Sequence, residues 1–142
     1  MREGLVDPLE GGGRHRLLIV DDEESTRLLL ARILSTELDA EVQLAGTSEQ
    51  ALRLTRNYVY DAILLDLLMP GDGGLAILRD LRSGPPNATT PVIVVSVVSD
   101  AGMIAECTAA GANAYHKKPV RRESLVRTVR EQLAARTRGP AS

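Results

Sequence analysis

The sequence predicts an α/β domain, a five-stranded parallel sheet in (βα)5 order with helices on both faces. Three observations carry that expectation. From Arg16 onward, short apolar runs alternate with longer amphipathic ones. The short runs are nearly continuous in Leu, Ile, Val and Ala, as expected of strands covered on both faces. At 142 residues, 44% hydrophobic and 25% charged, the chain is long enough to bury one core without disulfides or structural metals.

The strands read as LLIV (17–20), VQLA (42–45), AILLD (62–66), VIVVS (92–96) and ANAYH (112–116), the last assigned from its place in the alternation. Helices are expected at 24–37, 47–57, 74–83, 100–110 and 121–135. Thr47 or Ser48 serves as N-cap of the second helix, with Glu49 or Gln50 close behind, and Gly111 sits where the fourth helix needs a left-handed residue. In the fifth helix Leu125, Val129 and Leu133 form one apolar stripe, while Arg121, Arg122, Arg127 and Arg130 face elsewhere. The Pro-rich segment SGPPNATTP (83–91) cannot be helical throughout, so the fourth strand starts after Pro91. Residues 1–15, with a Gly triplet, and residues 136–142 read as flexible tails around a domain at 16–135. Right-handed crossovers leave few topologies, and the order 2-1-3-4-5 is carried over from known doubly wound sheets of five strands.

Composition narrows function. With no Phe, no Trp and three Tyr, the chain has almost nothing on which to stack bases, and its formal charge of −2 gives no general attraction to DNA or an anionic membrane. Cys107 is the single cysteine, so an intramolecular disulfide is impossible and a reducing cytoplasm is the expected compartment. No apolar run reaches the roughly 18 residues of a membrane span.

In an open parallel sheet, ligands bind beyond the C-terminal ends of the strands. There the sequence puts Asp21 and Asp22 after the first strand, Asp66 after the third, Ser96 at the fourth and Lys118 after the fifth. Taken singly, each has an ordinary structural reading as a cap, a backbone-bonded hydroxyl or a solvated lysine. Their convergence on one edge favours a site. Three crowded carboxylates repel one another unless a cation joins them, and an oxygen shell of carboxylates, a carbonyl and waters suits Mg²⁺ or Mn²⁺. Asp66, which interrupts the apolar run AILLDLLMP, is then a carboxylate able to attack phosphorus, with Lys118 and Ser96 available to bind the phosphoryl oxygens.

The stretches LLIVDDEES, DAILLDLLMPGDGG, TPVIVVS and GANAYHKKP together resemble the receiver domains of two-component response regulators, over about residues 16–135. The separations of 44 residues from Asp22 to Asp66, 30 to Ser96 and 22 to Lys118 agree with that family. The resemblance implies a flavodoxin-like fold with Asp66 as phosphoacceptor. It makes Asp22 a direct metal ligand, Asp21 a ligand through water and the backbone carbonyl of Leu68 a further ligand. Ser96 would be the switch hydroxyl, Lys118 the phosphate contact, Pro119 the site of a cis peptide bond, and Tyr115 the aromatic that moves inward on activation.

The implied partners are a sensor histidine kinase or histidine phosphotransfer protein, and an effector or second protomer docking on residues 100–135. Two departures from the family pattern stand out. Val97, where Ala or Gly is usual, brings a branched side chain to the pocket and leaves open a phosphorylation-independent interaction module. Leu68 and Val98 are apolar where a polar residue could orient an attacking water, which implies a slowly hydrolysing acyl phosphate. Leu68 also stands where phosphatases using an aspartyl-phosphate commonly carry a second acid, which weighs against that enzyme class.

Overall fold

The computed structural model describes residues 14–71 and 73–138, so the tail expectations for 1–13 and 139–142 lie outside the described residues. The elements follow in strict alternation: β1 (His15–Val20), α1 (Glu24–Glu37), β2 (Ala40–Ala45), α2 (Ser48–Asn57), β3 (Ala62–Leu65), α3 (Gly73–Arg82), β4 (Val92–Ser96), α4 (Ala101–Ala109), β5 (Ala114–Lys117) and α5 (Arg122–Arg138). The strands form one parallel sheet in the order β2-β1-β3-β4-β5. Most boundaries fall within two residues of the sequence expectation. The largest shifts are at α5, which runs on to Arg138, at the start of β1 and β2, where His15 pairs with Ala40, and at the start of β5, which begins at Ala114.

Strand side chains alternate between two cores. Leu17 and Ile19 of β1, Ala62 and Leu64 of β3, and Ile93 and Val95 of β4 face α1 and α5, meeting Leu30, Ile33, Leu34, Leu125, Val129 and Leu133. Leu18, Val20, Ile63, Leu65 and Val92 face the other way, onto Ala51 of α2 and Ile77, Leu78 and Leu81 of α3. Val94 continues this second face under α4, against Cys107 and Leu67. Every residue of β3 and β4 is buried, whereas β2 and β5, at the edges, are only partly covered. At about 1.5–3 kcal/mol for each fully buried aliphatic side chain, the two central strands anchor the sheet. The strand ends that carry Asp66 and Ser96 therefore stand on the most deeply buried part of the sheet.

Local signals behave as chemistry requires. The Thr47 hydroxyl accepts from Gln50 N at 3.0 Å, and Gln50 Oε1 accepts from Gly46 N at 2.8 Å, a reciprocal cap of α2. Gly111 ends α4 at φ 109°, in the left-handed region. The connection 83–91, expected only to be non-helical, is pinned by Asn87. Its amide Nδ2 donates to Thr55 O (2.6 Å) and Tyr58 O (2.7 Å), while its Oδ1 accepts from Tyr60 N (2.9 Å) and the Thr90 hydroxyl (2.9 Å). Asn87 is 1% exposed, so water cannot replace these bonds. Replacing it by Ala strands several buried polar groups at once. We expect Asn87→Ala to lower stability by about 3 kcal/mol, read from chemical unfolding midpoints at unchanged slope.

Candidate functional site

The strand ends bring together what the sequence placed there. One carboxylate oxygen from each of Asp21, Asp22 and Asp66 lies within 4.8 Å of the others. Asp21 and Asp66 are buried, Asp22 is exposed, and Ser96 is fully buried at the end of β4. Between the two buried acids sits Lys118, its Nζ 2.7 Å from Asp21 Oδ2 and 3.0 Å from Asp66 Oδ2. The remaining oxygens accept from backbone N–H groups: Asp21 Oδ1 from Glu23 N (2.9 Å) and Asp66 Oδ1 from Leu68 N (3.1 Å). A main-chain bond from Lys118 N to Ser96 O (2.9 Å) ties the lysine to β4.

Charge in this pocket is in tension. Burial raises the Asp21 carboxyl above its ordinary range, opposed by the hydrogen bonds from Lys118 and Glu23 N, and the neighbouring Asp66 charge raises it further. Burial works against the Lys118 ammonium too, but its bonds to Asp21 and Asp66 outweigh that and lift it above the ordinary lysine value. The ion pair thus favours the lysine's charged form while burial still disfavours Asp21's. A second cation would relieve the conflict, and the donors fit one that is hard and oxygen-seeking. The Asp22 carboxylate makes no hydrogen bond or ion pair among the described residues, and the Leu68 carbonyl accepts none there.

The switch candidates meet at one residue. Ser96 Oγ accepts from Val98 N at 3.3 Å, and the Tyr115 hydroxyl donates to Val98 O. Tyr115 is half-buried and packs into the cluster of Leu67, Val94 and Cys107, with Met103 and Val98 beside it. Val97 and Leu68, 55% and 53% exposed, are apolar residues on the two loops that carry the site. The Lys118–Pro119 peptide is cis.

Comparison with known proteins decides the family. The model for the response regulator receiver domain matches residues 17–130. This chain belongs to the response regulator receiver family. The receiver is 37% identical over 125 residues to the sensory/regulatory protein RpfC of Xanthomonas campestris pv. campestris, covering 87% of this chain and 17% of that protein. To the DNA-binding response regulator MtrA of Mycobacterium tuberculosis it is 31% identical over 128 residues, covering 90% of this chain and 54% of MtrA. The receiver therefore spans about half, or much less, of these relatives' length.

Among solved structures, a CheY-like receiver domain protein from Methanospirillum hungatei superimposes with a TM-score of 0.84 at 26% identity, covering 90% of this chain and all of that one. The receiver domain of a sensor histidine kinase from Pseudomonas aeruginosa PAO1, solved with magnesium coordinated in its active site cleft, gives 0.79 at 26% identity, covering 87% and 100%. No helix among the described residues is long and apolar enough to cross a membrane.

Two contributors to the pocket were not singled out from sequence. Gly74, in the first turn of α3, presses against the β3–α3 loop: a Cβ there would lie 2.2 Å from Asp66 O and 2.7 Å from Leu67 Cα. Arg27 Nη1 donates to Asp21 O at 2.8 Å. Glycine is a poor helix former, and a glycine opening a helix just after the phosphoacceptor candidate is the one local hint. Arg27 carries no such hint, because its partner is a backbone atom.

Removing the internal cation tests the charge argument. Lys118→Met leaves two buried acids facing each other and should cost about 3 kcal/mol at neutral pH. The lysine's raised value places its contribution below the ordinary lysine pKa, to be lost only as pH rises through that raised value. A carboxyl whose folded-state value is raised contributes less stability as pH climbs through it, so the variant's deficit should shrink as pH falls through that raised value toward the ordinary aspartate range. Thermal melts across pH, with and without Mg²⁺, check this, and Mg²⁺ should stabilise the variant more than the wild type.

Proposed function

We propose that this receiver is a phosphorylation-dependent switch in which Asp66 accepts a phosphoryl group from a phosphohistidine on a sensor histidine kinase or a histidine phosphotransfer protein. The observation that carries the proposal is the burial of Asp66 at the end of β3, within reach of two further carboxylates and an ammonium. A carboxylate oxygen of Asp66 attacks phosphorus as the bond to the histidine nitrogen breaks. The leaving imidazole keeps the electron pair and takes up a proton from solvent, and an acyl phosphate remains on Asp66. Mg²⁺ or Mn²⁺, held by Asp22, Asp66, the Leu68 carbonyl and, through water, Asp21, would offset the negative charge gathering on the phosphoryl oxygens.

Lys118 already donates to Asp66 Oδ2 and needs to shift only slightly to reach a phosphoryl oxygen. Ser96 donates to another. For its hydroxyl to turn toward phosphate, its contact with Val98 N must change, and Val98 O is held by Tyr115. A charge placed on Asp66 is thereby felt along the β4–α4 loop and at α4, β5 and α5, the 100–135 surface where an effector or second protomer would dock. Such a domain is a signalling switch that processes its own phosphoryl group only, works in the cytoplasm and does not itself contact nucleic acid or membrane. The basic residues of α5 fit an acidic partner surface.

Incubation with acetyl phosphate and Mg²⁺ should add one phosphate by intact mass, and Asp66→Asn should abolish the addition. No incorporation into wild type, under conditions where beryllofluoride also leaves its spectra unchanged, would favour a phosphorylation-independent interaction module. Leu68→Asn, which supplies an amide able to orient water, should shorten the phosphoprotein's half-life several-fold, as followed by loss of the phosphate mass.

A further inference from the structure

We propose that Arg27 is a positioning residue for the cation site: its guanidinium wedges the β1–α1 turn against the β2–α2 loop and thereby fixes where Asp22 presents its carboxylate. The inference rests on reading Asp21, Asp22 and Asp66 as ligands of a divalent cation. Arg27 Nη1 donates to Asp21 O at 2.8 Å, bridging the first turn of α1 to the strand end. The same guanidinium lies over Gly46, where a Cβ would stand 2.6 Å from Nη1 and 3.0 Å from Cζ. Gly46 is itself fixed, its N–H bonded to Gln50 Oε1 at 2.8 Å in the α2 cap, and the preceding Ala45 O accepts from Asp21 N at 3.1 Å. The guanidinium thus occupies the space between two loops that are each tied down independently.

The two acids next to each other depend on this wedge unequally. Asp21 is held at its N–H, its carbonyl and both carboxylate oxygens. Asp22 has no side-chain partner among the described residues, so its carboxylate takes its place from the backbone of Asp21. A small divalent cation tolerates little error in ligand geometry, and groups that orient ligands commonly change affinity by 10- to 100-fold. Gly46 is not in the left-handed region, so Ala is allowed there by the backbone and obstructed chiefly by Arg27. Gly46→Ala is therefore a remote way to evict the guanidinium without touching an acid.

The test is calorimetric titration of Mg²⁺ into the unphosphorylated 142-residue chain. Wild type is compared with Arg27→Met, Gly46→Ala, the double variant and Arg27→Lys, each checked by thermal unfolding without metal. Arg27→Met and Gly46→Ala should each weaken Mg²⁺ binding about 10-fold. The double variant should be no weaker than Arg27→Met alone, since a Cβ at 46 then meets vacated space, and Arg27→Lys should recover part of the loss. A purely structural role would lower unfolding temperature without metal and leave the affinity unchanged. The inference is overturned if wild type binds Mg²⁺ and the single variants bind it equally well. Tighter binding by Arg27→Met, the mark of simple charge repulsion, would also overturn it, as would an equal Gly46→Ala effect in both backgrounds. A wild type that takes up no Mg²⁺ would instead defeat the underlying cation-site reading.

Discussion

Two carboxylates taken out of water at the ends of adjacent strands repel each other, and here a single ammonium keeps that repulsion in check. Lys118 touches Asp21 and Asp66 alike, and the rest of the pocket is arranged around that three-centre contact. The bargain is incomplete: the lysine gains from its partners, while Asp21 still carries a desolvation cost that one cation does not remove. An arrangement left short of positive charge is poised to take more of it.

The sheet supplies the rigidity that such crowding needs. β1, β3 and β4 are gripped on both faces by aliphatic side chains, so the turns that follow them inherit fixed starting points. Short connections then carry the polar groups outward, with backbone N–H groups of Glu23 and Leu68 orienting the acids. On the other side of the pocket, Val98 holds contacts to Ser96 through its N–H and to Tyr115 through its carbonyl. One peptide segment thus joins the buried Ser96 to Tyr115 on the edge strand β5.

Much of this was legible in the sequence, for reasons that differ by element. The strand VIVVS was located in full because Pro91 bars its start and Ser96 marks its polar end, and α1 because its amphipathic run is long. The fifth strand was displaced by two residues at its start. It is an edge strand with a weak apolar pattern, and Asn113, which read as strand, bonds through its side chain to Val92 N and through its own N–H to Val92 O. The backward extension of β1 to His15 depends on pairing with β2, which no local pattern reveals. The candidate residues could be grouped from sequence because topology carries strand ends to one edge, where the structure brings Asp21, Asp22, Asp66 and Lys118 together. Asn87 and Arg27 escaped notice because they bond mostly to main-chain atoms that are reached only after folding, and Gly74 because a glycine in the sequence does not say what it packs against.

The close approach of α3 to the β3–α3 loop has a consequence for how the domain can diversify. Where Gly74 meets Asp66 O, the fit is governed by a hydrogen atom, and even a methyl group has nowhere to go without moving the loop itself. Chemistry asks nothing of position 74, yet geometry leaves it no alternative. Side-chain variation around the pocket is therefore open only at the exposed rim, at places such as Leu68 and Val97, while the floor beneath stays frozen.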